Sequence, residues 1–346
     1  MSQTVSETFS DDEINQEANR LLETMKEINW TFDICKEIAP VTLAINKLKK
    51  EKDVVILAHS YQTPDIIFGI SDHKGDSYGL SKAAQEVTQK TILFAGVHFM
   101  AETAKILNPN KKVLLPDLEA GCSLASSCPP EKFKKFIDEH PDHVVVTYVN
   151  CSAEIKTMSD IVCTSSNAEK IIESIPADRK IIFAPDKNLG RYIQEKTGRD
   201  LLLWDGACTV HEAFSIDKLL ALYKEHPNAK IIAHPESEKH ILDVASFIGS
   251  TAQMITHVKS QPNEEYIVAT EVGLLHKMQL QAPDTTLIPA PAKEDNTCAC
   301  SECGFMKLNT LEKLRDCLRD ETPEIIIDES IREKALAPIL EMLKYQ

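Results

Sequence analysis

The sequence predicts an α/β protein of three tandem αβα domains, each with a parallel sheet, in a pseudo-threefold arrangement around a central active site. Short apolar runs alternate with helical patterns over most of the chain, which is typical of βαβ units whose sheets are covered on both faces. Four features of these units recur about every 87 residues. A period this long indicates duplicated domains and not a solenoid.

The expected strands are ten short apolar runs that fall into three sets of similar order. Each is followed by polar or small residues, and ligands of parallel α/β sheets bind outside the carboxyl ends of the strands. The central site is therefore expected where the three sets of strand ends meet. The runs are 54–59, 91–96, 112–117, 144–150, 161–165, 180–186, 201–206, 230–236, 266–271 and 286–291.

The four recurring features follow one another in the same order in each set. The first is a strand ending in polar side chains, the second a hydroxyl-bearing turn before a helical pattern, the third a strand running into a longer helix, and the fourth a strand leading to a cysteine. The first is A-H-S-Y at 58–61, Y-V-N at 148–150 and H-P-E at 234–236; the second contains Ser77, Ser165 and Thr251; the third covers 94–107, 183–196 and 268–281; the fourth ends at Cys122, Cys208 and Cys303.

The period also predicts the domain boundaries. Residues 1–40 are expected to form a helical N-terminal extension. The first αβα domain is expected over 41–127, completed by the C-terminal segment 324–346. The second and third domains are expected over 128–213 and 214–323.

The composition disfavours two classes of partner. The 346 residues contain 38 Lys and Arg against 53 Asp and Glu, a formal net charge of −15. Binding to nucleic acid or to an anionic membrane needs clustered excess Lys and Arg, so neither is expected. The apolar runs are much shorter than the ~18 residues of a membrane span, and the first residues contain no apolar segment typical of a secretory signal. A cytoplasmic location is expected.

The cysteines indicate metal chemistry. Disulfides are disfavoured in the cytoplasm, so ten cysteines there point to metal binding or catalysis. Convergence of Cys122, Cys208 and Cys303 would supply three thiolates, and three protein ligands with an open position are typical of catalytic metal sites. Thiolates select zinc, copper(I) or iron–sulfur clusters, and the residues alone leave that choice open. The repeat argues against small buried apolar cysteines.

Longer motifs run through the chain in a fixed order. They are A-H-S-Y-Q-T-P (58–64), F-A-G-V-H-F-M-A-E-T-A-K-I-L (94–107), C-S-L-A-S-S-C-P (122–129), V-C-T-S-S-N-A (162–168), A-P-D-K-N-L-G-R-Y (184–192), W-D-G-A-C-T-V-H-E (204–212) and C-A-C-S-E-C-G-F-M (298–306). Through these motifs the chain is similar to the quinolinate synthase family over about residues 40–340. The resemblance implies a [4Fe–4S] cluster ligated by Cys122, Cys208 and Cys303, with one iron left for substrate.

Three further cysteines compete with the predicted ligands. Cys298 and Cys300 stand close to Cys303, and the resemblance favours the last of the three as the ligand. Family members with C-x-x-C-x-x-C are thought to use the first two cysteines for a regulatory disulfide, but this chain has C-x-C at that place, which puts such a switch in doubt. Cys128 precedes Pro129 and has no counterpart in the other repeats, so we expect it to be structural.

The resemblance also implies the reaction. The substrates would be iminoaspartate and dihydroxyacetone phosphate, condensed to quinolinate with release of phosphate and two waters in de novo NAD biosynthesis. An L-aspartate oxidase or dehydrogenase would supply the iminoaspartate. The iron without a cysteine ligand would act as a Lewis acid on a substrate hydroxyl or carboxylate.

The resemblance assigns roles to the polar side chains at the strand ends. Tyr61 and Glu236 are expected to be the proton-transfer pair, with His234 in support. Any one hydroxyl turn alone would be a helix cap, but three at equivalent positions favour anion binding at helix N-termini. The expected substrate-binding residues are His59, Ser77, Tyr148, Asn150, Ser165, His234, Glu236 and Thr251.

Three alternatives stay open at this stage. An iron–sulfur hydro-lyase acting on another small polyanionic acid would use the same three cysteines. A non-enzymatic redox or iron sensor would use the cluster as a switch, although neither a basic patch nor a helix-turn-helix pattern accompanies it. A zinc enzyme would also fit, because thiolates alone do not fix the metal.

Overall fold

The structure is a computed structural model that describes residues 8–294 and 301–345, and it confirms the predicted fold class. Within these residues, twelve strands form three four-stranded sheets in which every pairing between strands is parallel. The first sheet contains β1 (Val54–His59), β2 (His73–Gly75), β3 (Thr91–Ala95) and β4 (Lys112–Leu114); the second contains β5 (His143–Tyr148), β6 (Ile161–Cys163), β7 (Lys180–Ala184) and β8 (Leu201–Leu203); the third contains β9 (Lys230–Ala233), β10 (Phe247–Ile248), β11 (Glu265–Ala269) and β12 (Thr286–Pro289).

The three sheets share one strand order. The first strand of each repeat lies between the second and the third, and the fourth strand pairs with the third, giving β2-β1-β3-β4 and its two equivalents. The second and fourth strands are therefore the two edges of each sheet. They are three strand spacings apart, about 14 Å at roughly 4.8 Å per spacing. The segment that follows the second strand therefore begins at one edge of the sheet, and the segment that follows the fourth strand begins at the opposite edge.

The inner strands are apolar along their whole length because they are covered on both faces. Every residue of β1 and β3 is buried, so these strands show a continuous apolar run and no alternation. The edge strands β2 and β10 are short and are not fully buried. They contain no apolar run of strand length, which is why the ten predicted runs omitted both.

The connecting helices begin at capping side chains. Ser10, for example, accepts a hydrogen bond from the Glu13 N–H, and the Glu13 carboxylate accepts one from the Ser10 N–H, which forms a capping box. The helices are α1 (Asp11–Met25), α2 (Phe32–Glu51), α3 (Pro64–Gly69), α4 (Ser77–Glu86), α5 (His98–Leu107), α6 (Ser123–Ser126), α7 (Pro130–Asp138), α8 (Ala153–Lys156), α9 (Ala168–Ser174), α10 (Lys187–Thr197), α11 (Ile216–Glu225), α12 (Lys239–Leu242), α13 (Thr251–Ser260), α14 (Gly273–Gln281), α15 (Leu311–Asp320) and α16 (Glu329–Met342), with 3₁₀ turns at Lys26–Ile28, His211–Ala213 and Met306–Leu308. None of the helices in the described ranges is both long and apolar enough to cross a bilayer.

The C-terminal segment joins two sheets. The Ile325 N–H donates to the Val113 carbonyl, which adds residues 323–325 to the β4 edge of the first sheet. Helix α16 then packs against α5 and also against β6 and α8 of the second sheet. The buried apolar cluster around Ile339 accordingly contains Leu57 and Val146 from different sheets. The predicted domain boundaries stay predictions, since this segment contacts both units.

The N-terminal helices also join two units. Apolar residues of α1 and α2 form a buried cluster with Phe68 of the first repeat and Leu280 of the third. Within it the buried Glu17 carboxylate accepts from the Thr42 hydroxyl at 2.6 Å and from Arg20 at 2.7 Å. Helix α2 runs without a break across the predicted boundary at residue 40.

Candidate active site

The carboxyl ends of the three sheets surround one cavity. It encloses about 650 Å³ of space, part of it open to solvent. All twelve residues singled out from the sequence line it: His59, Tyr61, Ser77, Cys122, Tyr148, Asn150, Ser165, Cys208, His234, Glu236, Thr251 and Cys303. The structure brings these side chains together, and their individual roles stay predictions.

The residues after the second strands form one end of the cavity, which we call the hydroxyl rim. It comprises Asp76, Ser77, Ser165, Ser166, Ser250 and Thr251. The Ser166 hydroxyl lies 3.2 Å from the Asp76 carboxylate and 2.9 Å from the Ser250 hydroxyl, so one residue of each repeat takes part in a single hydrogen-bonded contact. The rim opens into an outer groove that also contains Asp76 and Ser165 but none of the three predicted cysteine ligands.

The predicted anion-binding hydroxyls are not the helix caps. Asp76 caps α4 and Ser250 caps α13, which leaves Ser77 and Thr251 as the first residues of those helices. Ser165 lies three residues before α9, so the expectation that a helix begins at each of the three hydroxyls fails there. None of the three hydroxyls makes a side-chain hydrogen bond to another residue in the described ranges. They are available to a ligand.

The middle of the cavity is an acid–base group centred on Glu236. This buried carboxylate accepts from the Tyr148 hydroxyl at 2.6 Å and lies 3.2 Å from His211 Nδ1 and 3.7 Å from His234 Nδ1. Burial alone would raise the pKa of Glu236, but these three neighbours outweigh it and lower that pKa to about 2. Burial lowers the pKa of His234 to about 3. At neutral pH the carboxylate is ionised and this imidazole is neutral.

A line of polar contacts connects Glu236 with Tyr61. The Tyr61 hydroxyl is 3.1 Å from the Thr270 hydroxyl, and the Thr270 hydroxyl is 3.2 Å from His211 Nε2. His211 Nδ1 lies 3.2 Å from Glu236 Oε2 without hydrogen-bond geometry, so the line of contacts, which we call the relay, runs from Tyr61 through Thr270 to His211 and ends beside Glu236. Burial raises the pKa values of both Tyr61 and Tyr148 well above the ordinary value, so both phenols are protonated at neutral pH.

His59 and Asn150 complete the polar lining. The His59 ring packs edge-on against the Tyr61 ring with centroids 4.6 Å apart. Burial, assisted by the positive charge of Lys277, lowers the pKa of His59 to about 3. The side-chain carbonyl of Asn150 is buried and has no hydrogen-bond donor among the described residues. An unpaired buried acceptor in a cavity is a position for a substrate donor.

The fourth strands place the cysteine group, Cys122, Cys208 and Cys303, at the other end of the cavity. Burial raises the pKa of all three thiols, that of Cys122 to about 12. The negative charge of Cys303 contributes to the raised pKa of Cys122, and that of Cys122 to the raised pKa of Cys208, as expected of neighbouring thiols. A metal that binds here must displace protons, because it is held by thiolates.

The three cysteines do not form a compact site for a single ion. Among the described residues, one set of three donor atoms lies within 4.8 Å of one another: those of Cys208, His211 and Glu236. Cys122 and Cys303 lie outside that set. Ligands of a single tetrahedral ion with bonds of about 2.3 Å are within roughly 4 Å of each other, whereas a cluster of several irons reaches more widely spaced thiolates. Three thiols that line one cavity and do not all lie within 4.8 Å of one another do not form a compact single-ion site, and their donor chemistry fits an iron–sulfur cluster.

Of the three competing cysteines, the structure describes Cys128 alone. Cys128 is buried in the core of the second sheet beside Phe133 and Val145, as expected for a structural cysteine. Cys298 and Cys300 lie outside the described residues. That their C-x-C spacing disfavours a regulatory disulfide stays a prediction from the sequence.

Sequence reasoning missed four residues that connect the site. His211 and Thr270 complete the relay, while Glu271 and Lys307 contact Cys303 and Tyr61. The signal for two of them was the position directly after the third strand of the third repeat, where Thr270 and Glu271 follow β11. The sequence pattern does not distinguish core packing from support of the site for His211, and no pattern marks Lys307.

Known proteins are similar in sequence to this chain over most of its length. The sequence profile of a family described as Quinolinate synthetase A protein matches residues 43–344. A Synechococcus protein named quinolinate synthase is 58% identical over 305 residues, covering 88% of this chain and 95% of that protein. The quinolinate synthase of Nostoc punctiforme is 60% identical over 301 residues, covering 87% and 92%. That of Chloroherpeton thalassium is 56% identical over 300 residues, covering 87% and 92%. The matched region contains all three sheets.

Proposed function

This chain belongs to the Quinolinate synthetase A protein family and is an enzyme, and we propose that it condenses iminoaspartate with dihydroxyacetone phosphate to quinolinate. The reaction releases phosphate and two waters and serves de novo NAD biosynthesis in the cytoplasm. One observation supports the proposal: the carboxyl ends of three sheets with a common strand order bring three hydroxyls, an acid–base group and three thiols to a single cavity.

Anionic groups of the substrates bind at the hydroxyl rim. The chain as a whole carries a net charge of −15, so binding depends on local donors and not on the overall field. Ser77 and Thr251 stand at the first turns of α4 and α13, where free backbone N–H groups and the helix dipole favour negative charge. Ser165 supplies the third hydroxyl. His59, Tyr148, Asn150, His234 and Glu236 complete the substrate-binding set.

Proton transfers take place in the middle of the cavity. Forming the pyridine ring requires removal of protons from carbon and protonation of leaving hydroxyls, which positioned acids and bases accelerate. Glu236 is ionised and accepts a proton, while Tyr61 remains protonated and donates one. Thr270 and His211 lie between these two residues, and His234 Nδ1 accepts from the Glu236 N–H, which holds the backbone of the base in place.

Cys122, Cys208 and Cys303 would hold a [4Fe–4S] cluster. When bound, a cluster with one iron free of cysteine supplies a Lewis acid for a substrate hydroxyl or carboxylate. The thiols lie beside the acid–base group, since Cys208 belongs to the same set of donor atoms as His211 and Glu236. The protein's own contribution at this end is to fix the three sulfur atoms and to keep the surrounding groups dry.

The experiment that tests the reaction omits one substrate at a time. Anaerobic protein supplied with both iminoaspartate and dihydroxyacetone phosphate is expected to form quinolinate and an equal amount of phosphate, and neither substrate alone should give product. An L-aspartate oxidase or dehydrogenase serves as the source of iminoaspartate and is the expected functional partner. Turnover of another small polyanionic acid, with no quinolinate from the pair, would favour the hydro-lyase alternative.

A further inference from the structure

The third predicted ligand lies on a segment that the sheet alone does not fix. Cys122 follows the end of β4 by 8 residues and Cys208 follows the end of β8 by 5, whereas Cys303 follows the end of β12 by 14. Longer connections leave more conformations to exclude. The residues around Cys303, which we call the Cys303 loop (301–309), need contacts of their own to hold the sulfur in place.

A buried carboxylate supplies the first of these contacts. Glu271 follows β11 and is fully buried. Its Oε1 accepts from the Cys303 N–H at 3.2 Å, and its Oε2 accepts from the Gly273 N–H at 2.7 Å. The carboxylate therefore joins the backbone of the predicted ligand to the first residue of α14.

Lys307 neutralises this carboxylate and extends the contact to the first repeat. Its Nζ lies 2.9 Å from Glu271 Oε1 and donates to the Tyr61 carbonyl at 2.6 Å. The Lys307 N–H donates to the Cys303 carbonyl, so the lysine is bound to the ligand residue through its backbone as well. One ammonium thus connects the third metal ligand with the predicted proton-transfer tyrosine.

The Tyr61 backbone and the Glu271 carboxylate lie so close to Gly273 that a side chain at position 273 would not fit. A Cβ at Gly273 would lie 2.7 Å from Glu271 Oε2 and 2.9 Å from the Tyr61 carbonyl oxygen, and real Cβ contacts are not that short. On the other side of the loop, Gln62 donates to the Met306 carbonyl at 3.0 Å. The contacts between the first and third repeats therefore meet at the Cys303 loop.

We infer that the Glu271–Lys307 ion pair positions Cys303 and holds it in register with Tyr61; this inference rests on the proposed function. A buried carboxylate that loses its counter-ion is strongly disfavoured, so removal of either partner frees the loop and also leaves an uncompensated charge beside the thiols. Both residues act through Cys303 and Tyr61 and are positioning residues. Changes around metal ligands typically weaken metal binding about 10–100-fold.

The test compares K307M, E271Q and the double variant with K49M as a matched control. Lys49 also pairs with a carboxylate, Asp72, at 2.7 Å and donates to a backbone carbonyl, that of Ile70, at 2.7 Å, but it lies in α2. Reconstituted anaerobic proteins are mixed with a ferrous-iron chelator, and the rate of iron release and the electron paramagnetic resonance spectrum of the reduced cluster are recorded.

The expected result is loss of iron about 10–100-fold faster in K307M and E271Q, with an altered spectrum, while K49M behaves like the wild type. In the double variant, the acceleration of iron release should be smaller than the product of the two single-variant accelerations, because both charges are removed together. Wild-type release rates and spectra in both single variants would overturn the inference while leaving the proposed function intact.

Hydrogen exchange of the metal-free proteins separates the two proposals. In K307M, faster exchange is expected in residues 301–309 and around Tyr61 and is not expected in strands β5 and β7. Hydrogen exchange of the metal-free protein tests the positioning inference even if the wild type binds no cluster. Absence of a cluster in the wild type would contradict the proposed function and leave the positioning inference to be decided by the exchange rates. Unchanged exchange in 301–309, or equal acceleration throughout the chain, would contradict a positioning role.

Discussion

The hydroxyl rim and the cysteine group come from opposite edges of the same three sheets, yet they are built differently. At the rim, residues of all three repeats contact one another directly, with Ser166 between Asp76 and Ser250. At the cysteine end, the Cys303 N–H donates to the carboxylate of an ion pair; among the described residues, the Cys208 contact is different, because the Glu212 N–H donates to the Cys208 carbonyl and the Glu212 side chain pairs with Lys187. Threefold repetition fixes where the side chains converge, and local contacts then decide how each one is held.

The difference follows from what each end must do. Besides the Asp76 carboxylate, the rim presents hydroxyls and the N-termini of α4 and α13, where an anion can bind. The cysteine group must keep three charged sulfur atoms at set distances in a buried place, where errors of position and charge are costly. Contacts specific to one ligand are therefore expected at the cysteine end and not at the rim.

The largest effect is expected from C208S at the cysteine end. Removing a ligand should abolish both cluster content and quinolinate formation, a loss greater than the roughly 10–100-fold caused by changes around a ligand. Iron and sulfide analysis beside an activity assay checks this, with C128S as the control because Cys128 is a buried core residue outside the cavity. A cluster-free C208S protein with full activity would refute the role of the cysteine group.

The middle of the cavity should separate chemistry from metal binding. E236Q is expected to keep its cluster spectrum and to lose about 10²–10⁴-fold in kcat, because an amide cannot accept the proton that the carboxylate takes. E238Q is the matched control, since Glu238 is two residues away and pairs with Lys293 outside the cavity. Full turnover of E236Q would show that Glu236 is not the base.

The rim is expected to change binding without changing the cluster. T251A should raise the KM for the anionic substrates about 10–100-fold, the cost of a lost hydrogen bond to a charged group, and leave thermal stability unchanged. S250A should instead lower the free energy of unfolding by ~1 kcal/mol, because Ser250 is the cap of α13. An unchanged KM in T251A would return Thr251 to a merely structural position.

An effect on folding, and not on turnover, is the pH dependence of stability that comes from His59. Its pKa is about 3 in the folded chain, below its ordinary value, so between pH 6.5 and 3 the unfolded chain binds a proton that the folded chain does not. Stability should therefore fall as the pH decreases below 6.5, by up to about 1.4 kcal/mol per pH unit for this group. Urea denaturation of metal-free H59Q between pH 7 and 5 should show a shallower slope; an identical slope would contradict burial of neutral His59.

The sequence predicted the architecture and the convergence of the site because both depend on repetition. Strand ends such as Tyr148 and His234 stood at equivalent places, and parallel topology directs equivalent strand ends to one side of a sheet. The short edge strands β2 and β10 were missed, since they lack an apolar run. The caps were missed as well: Asp76 and Ser250 precede the hydroxyls that the pattern emphasised.

The connections between repeats were beyond sequence reasoning for a physical reason. The relay through Thr270 and His211, and the contact of Lys307 with Tyr61, join residues that are 59 to 246 positions apart in the chain. Such contacts depend on how the three sheets pack against one another. The spacing of apolar residues and the helix-capping residues predict single strands and helices, and they do not predict that packing. They are also where the repeats differ, so the period gives no guidance.

The most direct test of the central claim is metal analysis of the protein purified without oxygen. The cysteine group, in a cavity with an acid–base group, is expected to hold about four irons and four sulfides per chain, with little zinc. All of this metal should be lost in C208S. One zinc per chain with no acid-labile sulfide would contradict the account and would move attention to Cys208, His211 and Glu236 as ligands of a single ion.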